Sequence, residues 1–155
     1  MSKYKVAACL ISGDAYHEDE VEILLKSLEP HVHGIFIAYN GKEEELDWQK
    51  FTSIPIIQKK FKWEDDFGLA RNQSFSLVPK DEFDYWLWID TDDELVVEEG
   101  TSLDEMFDSL DEYSKGIFIK YNYAIEPQTN VVVVEQWRER FLSTELDWKW
   151  KWPIH

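Results

Sequence analysis

The chain has 155 residues, and its 44% hydrophobic content and eight Trp are enough for one domain with a real core rather than a disordered segment. A formal net charge of −16 sets up a field that repels phosphate backbones and anionic lipid, which argues against nucleic-acid or membrane-surface binding. Cys9 is the only cysteine, so no intrachain disulfide can form, and it lies in the apolar run Val6–Ile11, where an inert core thiol is expected. The apolar run after Met1-Ser2-Lys3-Tyr4-Lys5 is too short for a signal peptide, and no segment approaches the length of a membrane span. A soluble cytoplasmic protein is expected.

In chain order the sequence alternates strand and helix. Lys5–Ile11 reads as a strand ending at the turn Ser12-Gly13-Asp14. Val21, Leu24, Leu25 and Leu28 recur at helical spacing over Glu18–Leu28, and Pro30 stops that helix. Gly34–Tyr39 is a second buried strand, closed by Asn40-Gly41. Glu43–Phe51 is expected to form a short helix with Leu46 and Phe51 as its contacts. Ile54–Gln58 is a third strand, which Pro55 assigns to an edge or to a strand's first residues. A helix is expected over Asp66–Val78 and a strand over Tyr85–Ile89.

Beyond residue 100, Ser102-Leu103-Asp104-Glu105 has the Ser-x-x-Glu pattern of a capping box and opens a helix through Met106, Phe107 and Leu110. Lys115–Ile125 and Val131–Leu142 read as a β-hairpin, with Ile117, Ile119, Tyr121 and Tyr123 alternating. Trp148-Lys149-Trp150-Lys151-Trp152 alternates strictly and is expected to be a strand with one Trp face. The fold class is therefore α/β: a mostly parallel sheet with an antiparallel extension. A Trp-rich strand running into Ile154-His155 reads as a boundary within, or at the edge of, a longer architecture, so a further domain or an oligomer partner is expected.

The most informative stretch is Asp90-Thr91-Asp92-Asp93-Glu94, directly after the apolar run Tyr85–Ile89. It falls at the carboxyl tip of a strand, the edge at which open α/β sheets bind ligands. In extended chain, Asp90 and Asp92 point to the same side, as a pair of hard oxygen ligands for a divalent cation that bridges to phosphate. Crowded carboxylates repel one another unless a cation or strong hydrogen bonds compensate. A solvated acidic turn is the competing reading. A calcium loop is rejected, because Leu95 stands where Gly is required and Thr101 where a bidentate Glu belongs.

Three segments in combination carry a resemblance. They are the opening strand Ala7-Ala8-Cys9-Leu10-Ile11-Ser12, the block Trp63-Glu64-Asp65-Asp66-Phe67-Gly68-Leu69-Ala70-Arg71-Asn72, and the block Trp86-Leu87-Trp88-Ile89-Asp90-Thr91-Asp92-Asp93-Glu94-Leu95. From about residue 4 onward the chain resembles family-2 glycosyltransferases of the GT-A fold, in particular the bacterial and phage branch. The resemblance implies one Rossmann-like GT-A domain over residues 1–155, with a donor-binding half up to about 100 and acceptor-side strands over about 101–155. It implies a nucleotide-sugar donor, a UDP-sugar foremost, a carbohydrate or other hydroxyl acceptor, and Mn²⁺ or Mg²⁺. The donor site would include Ile11, Tyr39, Asp66, Arg71, Asp90 and Thr91, with Asp90 near the ribose and Asp66 near the base. Arg71 would lie near the diphosphate or the metal-binding carboxylates, although a salt bridge to Asp90 or Glu64 that orders a helix start also accounts for it. Asp90, Asp92 and the late His155 are the candidate metal ligands, and Asp93 would support the metal shell through water.

The chain departs from the family where Ala38-Tyr39-Asn40-Gly41 replaces its Asp-containing second-strand block. Tyr39 is expected to stack on a base and Asn40 to hydrogen-bond it. The resemblance implies inverting sugar transfer, for which Glu126, Glu135 and Glu139 are possible bases, their solvated-hairpin reading being favoured. Trp137, Trp148, Trp150 and Trp152 are read as core, or as cover for a surface another domain would meet, ahead of a sugar-stacking platform. A non-catalytic nucleotide-, sugar- or protein-binding module of a larger protein is the alternative function. A nucleotidyltransferase is disfavoured because Ser12-Gly13-Asp14-Ala15 is not a Gly-rich phosphate loop.

Overall fold

A computed structural model describes residues 2–153. Six strands form one mixed sheet in the order β3-β2-β1-β4-β6-β5. The strands are β1 (Val6–Gly13), β2 (Gly34–Asn40), β3 (Ile56–Lys60), β4 (Tyr85–Trp88), β5 (Gly116–Ile125) and β6 (Val132–Ser143). β1 to β4 are mutually parallel, whereas β6 runs antiparallel to both β4 and β5. The expected α/β class, parallel sheet and antiparallel hairpin are all present.

Side-chain alternation sorts the sheet into two cores. Val6, Ala8, Leu10, Ile35, Ile37, Leu87 and Ile89 face helix α1 (Glu18–Leu28) and the short helix α3 (Leu103–Asp108). Ala7, Cys9, Phe36, Trp86 and Trp88 face helix α2 (Phe67–Ser76). Residues buried on both faces explain why β1 and β2 read as continuous apolar runs. Cys9 lies within β1, buried between β2 and β4, and burial raises its thiol pKa well above the ordinary value.

Local chemistry fixes the helices. α1 buries Val21, Leu24, Leu25 and Leu28, and its first turn holds Glu18, Asp19 and Glu20, where negative charge suits the helix dipole. Asp66 caps α2 by accepting from the Leu69 amide at 2.9 Å. The Ser102–Glu105 capping box of α3 is formed in both directions, at 3.1 and 3.0 Å.

Three elements differ from expectation. In the stretch expected to be a helix over Glu43–Phe51, only Trp48–Phe51 forms a single 3₁₀ turn. The Gln58 side chain takes both the N–H and the C=O of Leu46, at 2.7 and 2.9 Å, so that backbone is satisfied without a helix. The third strand starts at Ile56, two residues late, because Pro55 has no N–H to offer; its carbonyl accepts from Ile35 at 3.0 Å just outside the strand. β3 is an edge strand, as Pro55 implied.

The third difference is the Trp148–Trp152 segment, which forms no strand. The Asn72 side chain donates to the Trp150 carbonyl at 2.9 Å and accepts from its amide at 2.8 Å. One amide side chain thus does what a neighbouring strand would have done. Trp150 packs edge-on to Phe75 and Trp88, while Trp152 is exposed. The segment crosses so close to α2 that a Cβ on Gly68 would lie 2.6 Å from the Trp152 carbonyl oxygen.

Candidate functional site

β1 leads through α1 to β2 on one side, whereas β3 leads through α2 to β4 on the other. The chain direction therefore switches between β1 and β4. Ligand crevices in open α/β sheets form outside the carboxyl ends of strands at such a point. The Ile89 amide still donates to the Cys9 carbonyl at 3.2 Å, which holds the next residue, Asp90, against the end of β1.

Asp90–Asp93 is a tight turn rather than extended chain. The Asp93 amide donates to the Asp90 carbonyl at 3.1 Å, and the Asp93 carboxylate accepts from the Asp90 amide at 3.0 Å. The inward pair is consequently Asp90 and Asp93, three apart, while Asp92 is exposed. The extended backbone from which the pairing of Asp90 and Asp92 was expected is therefore not formed.

Two buried arginines supply the compensating charge. Arg71, 3% exposed, meets Asp90 at 3.0 Å, and Arg140, 4% exposed, meets Asp93 at 3.2 Å. Both guanidiniums lie against the Trp88 ring, at 4.4 and 4.0 Å from its centroid, and Arg140 also donates to the Trp88 carbonyl at 3.2 Å. Cation–π contact is strongest where water is excluded, as it is here. Burial lowers the Arg71 pKa, and the charge of Asp90 opposes that shift. Burial raises the Asp93 pKa against the backbone hydrogen bond and Arg140, which pull it down. Tyr121 is pushed up to about 12, first by burial and then by the charge of the Asp93 carboxylate.

Of the residues expected at the site, Arg71 and Asp90 are brought into contact, in the ion pair foreseen as one reading of Arg71. Ile11 is half-buried near the end of β1, and Thr91 is half-exposed in the turn. Asp66 is engaged as the α2 cap. Tyr39 is 1% exposed, with its hydroxyl 3.3 Å from Asp14, and a Cβ on Gly41 would lie 2.1 Å from that hydroxyl. The ring is packed into the core on the α1 side, so it presents no open face to a base. Asn40 is exposed. His155 lies outside the described residues.

Glu126 is hydrogen-bonded to Thr129 at the hairpin end, and Glu135 pairs with Lys120 at 3.6 Å. Sequence reasoning missed Arg140 and Tyr121. Their one signal was an Arg138-x-Arg140 pair inside a hairpin of an otherwise acidic chain.

Among the described residues no three His, Cys, Asp or Glu side chains are grouped to hold a metal ion. A Mg²⁺ or Mn²⁺ site of one or two carboxylates completed by phosphate oxygens needs no such group, and exposed Asp92 beside half-buried Asp90 fits that donor set. A cleft of about 410 Å³ opens between Asp92–Val96 and β5, with Leu87, Ile89, Ile119, Tyr121 and Arg140 among its lining. No protein-family model matches the chain, and no curated protein matches it. No helix among the described residues is long and apolar enough to cross a membrane.

Proposed function

We propose that the chain is a metal-dependent glycosyltransferase domain of the GT-A type, which moves a sugar from a nucleoside-diphosphate donor to an acceptor hydroxyl with inversion. The observation that carries this reading is the Asp90–Asp93 turn at the carboxyl end of β4, beside β1, at the switch point of a parallel sheet. The resemblance of the blocks around Arg71 and Asp90 supports it. Asp92 and Asp90 would hold Mn²⁺ or Mg²⁺, and the cation would offset the charge of the departing diphosphate in a strongly acidic molecule.

The protein's own part is to hold this corner rigid. Arg71 fixes Asp90, Arg140 fixes Asp93, and Trp88 between them excludes water. The cleft beside the turn would seat the acceptor, with apolar Ile119 against a sugar face and Tyr121 and Asn122 as polar partners. The acceptor oxygen attacks the anomeric carbon as the bond from that carbon to the diphosphate breaks, and a base takes the hydroxyl proton.

A second reading, a nucleotide- or sugar-binding module without turnover, is favoured by one observation. Tyr39 is closed into the core where the family places its second-strand carboxylate. Thermal-shift titration with UDP- and GDP-sugars, with and without Mn²⁺, tests the site. Stabilisation that needs both metal and nucleotide, and is lost in Asp92→Ala, is expected; equal stabilisation of both proteins would reject the metal role. Release of nucleoside diphosphate with acceptor present selects the enzyme, and binding without release selects the module.

A further inference from the structure

The outer part of the β5–β6 hairpin carries apolar surface that no described part of the chain covers. Phe118, Trp137 and Val133 are 59%, 62% and 62% exposed on one face of it, and Tyr123 and Ile125 are exposed on the opposite, cleft-lining face. With an aromatic side chain offering about 150–250 Å², the first three leave roughly 300 Å² open, within the range for the largest patch on a monomer. The remainder of the roughly 800 Å² that each partner of a stable complex buries would come from the strand edge.

Charge points to the occupant. Residues 116–143 hold three basic side chains (Lys120, Arg138, Arg140) and three acidic ones (Glu126, Glu135, Glu139), so the entire net charge of −16 lies elsewhere. Two copies that approached by other surfaces would meet like charge, whereas approach through the hairpins avoids that repulsion. The backbone agrees. β5 is an edge strand of ten residues with no proline and one lysine, Lys120, and its outer side pairs with no other described strand. Edges are normally protected by short length, charge, proline or bulges; β5 has little of the first three, and its register shifts, at 117/118 and on either side of Ala124, leave Phe118–Asn122 as the regular stretch open to pairing.

We propose that the chain forms a twofold homodimer in which β5 pairs antiparallel with β5 of a second copy and the exposed hairpin aromatics cover one another. A twofold contact of this kind is self-complementary and closed, so it stops at two copies. Tyr123 and Ile125 also line the cleft beside the β4 turn, so this contact borders the acceptor seat proposed there, and the measurement of mass below tests it apart from that chemistry.

Sedimentation equilibrium on the full chain, from low-micromolar to hundred-micromolar protein, tests this. A mass twice the 18.5 kDa of the chain is expected, and the dimer should persist or strengthen as salt rises, because salt screens only the repulsion between the acidic remainders. Phe118→Lys with Trp137→Lys should give a folded monomer, judged by circular dichroism. If the lysines prevent folding, Phe118→Ser with Trp137→Ser takes their place. A wild type that stays monomeric throughout overturns the proposal, as does a folded hairpin variant that remains a dimer. A monomer that binds only a different protein through this edge overturns it too.

Discussion

Asp93 and Arg140 form an ion pair at 3.2 Å in which the two side chains are only 8% and 5% exposed, and they join the turn after β4 to the last third of β6. Removing one member of a buried pair strands the other. Arg140→Met is therefore expected to destabilise the fold by about 3–5 kcal/mol. Urea unfolding measures this. Replacing Asp93 as well, by Asn, should restore part of the loss because no uncompensated charge remains. A loss below about 1 kcal/mol for Arg140→Met would mean that the pair behaves like an exposed one.

His33 makes the protein acid-sensitive near neutrality. Its Nδ1 accepts from the Val6 amide at 3.1 Å, so the neutral ring is the one the fold uses. Burial, then the charge of Lys5, lowers its pKa below the ordinary 6.5, against Asp104 and Asp84. A base with a lowered folded pKa binds fewer protons folded than unfolded, so stability rises with pH across that interval. As pH falls through 6.5 toward the lower folded value, stability should fall, and below that value this dependence ends. Melting temperatures across pH 5 to 8 should show the slope, and His33→Asn, which keeps an acceptor without titrating, should reduce it, leaving the part carried by His31, whose pKa burial also lowers.

The tail docks on α2 through the Asn72 side chain and through the Phe67 amide, which donates to the Pro153 carbonyl at 3.1 Å. Asn72→Ala removes both bonds to Trp150 and should cost about 1–3 kcal/mol if the freed backbone stays buried. Trp150 would leave its place against Phe75 and Trp88, which should shift Trp emission to the red. Gly68→Ala should act in the same direction, since its Cβ would sit 2.6 Å from a backbone oxygen of the tail. Unchanged emission in both variants would show that the tail docks by other contacts.

The capping box of α3 carries a smaller effect. Ser102→Ala should cost about 0.5–2 kcal/mol, and Glu105→Ala less, because Ser102 alone still satisfies the Glu105 amide. Chemical denaturation of the two single variants ranks them.

Much of the fold was legible in residue pattern. The four apolar positions of α1, the two-sided burial of β1 and β2 and the alternation in β5 are local signals with one physical meaning each. Helix Glu43–Phe51 and strand Trp148–Trp152 failed for a shared reason. In both places a distant side-chain amide, from Gln58 or Asn72, satisfies the backbone, and periodicity does not register partners that far away.

The acidic turn was legible as a place but not as an arrangement. Crowded carboxylates did require compensation, yet half of it comes from Arg140, some fifty residues later, brought alongside β4 only by sheet pairing. Tyr39 was misread for a related cause. The resemblance implied an open ring for stacking, while the Asp14 carboxylate and the absence of a side chain at Gly41 let its hydroxyl end be covered.

The buried thiol of Cys9 turns the molecule into its own reporter. Its side chain points into the core beneath α2, so a thiol reagent reaches it only when the sheet and α2 separate. Labelling rates in native buffer therefore count openings of that core, with fraying of the hairpin tip leaving them untouched.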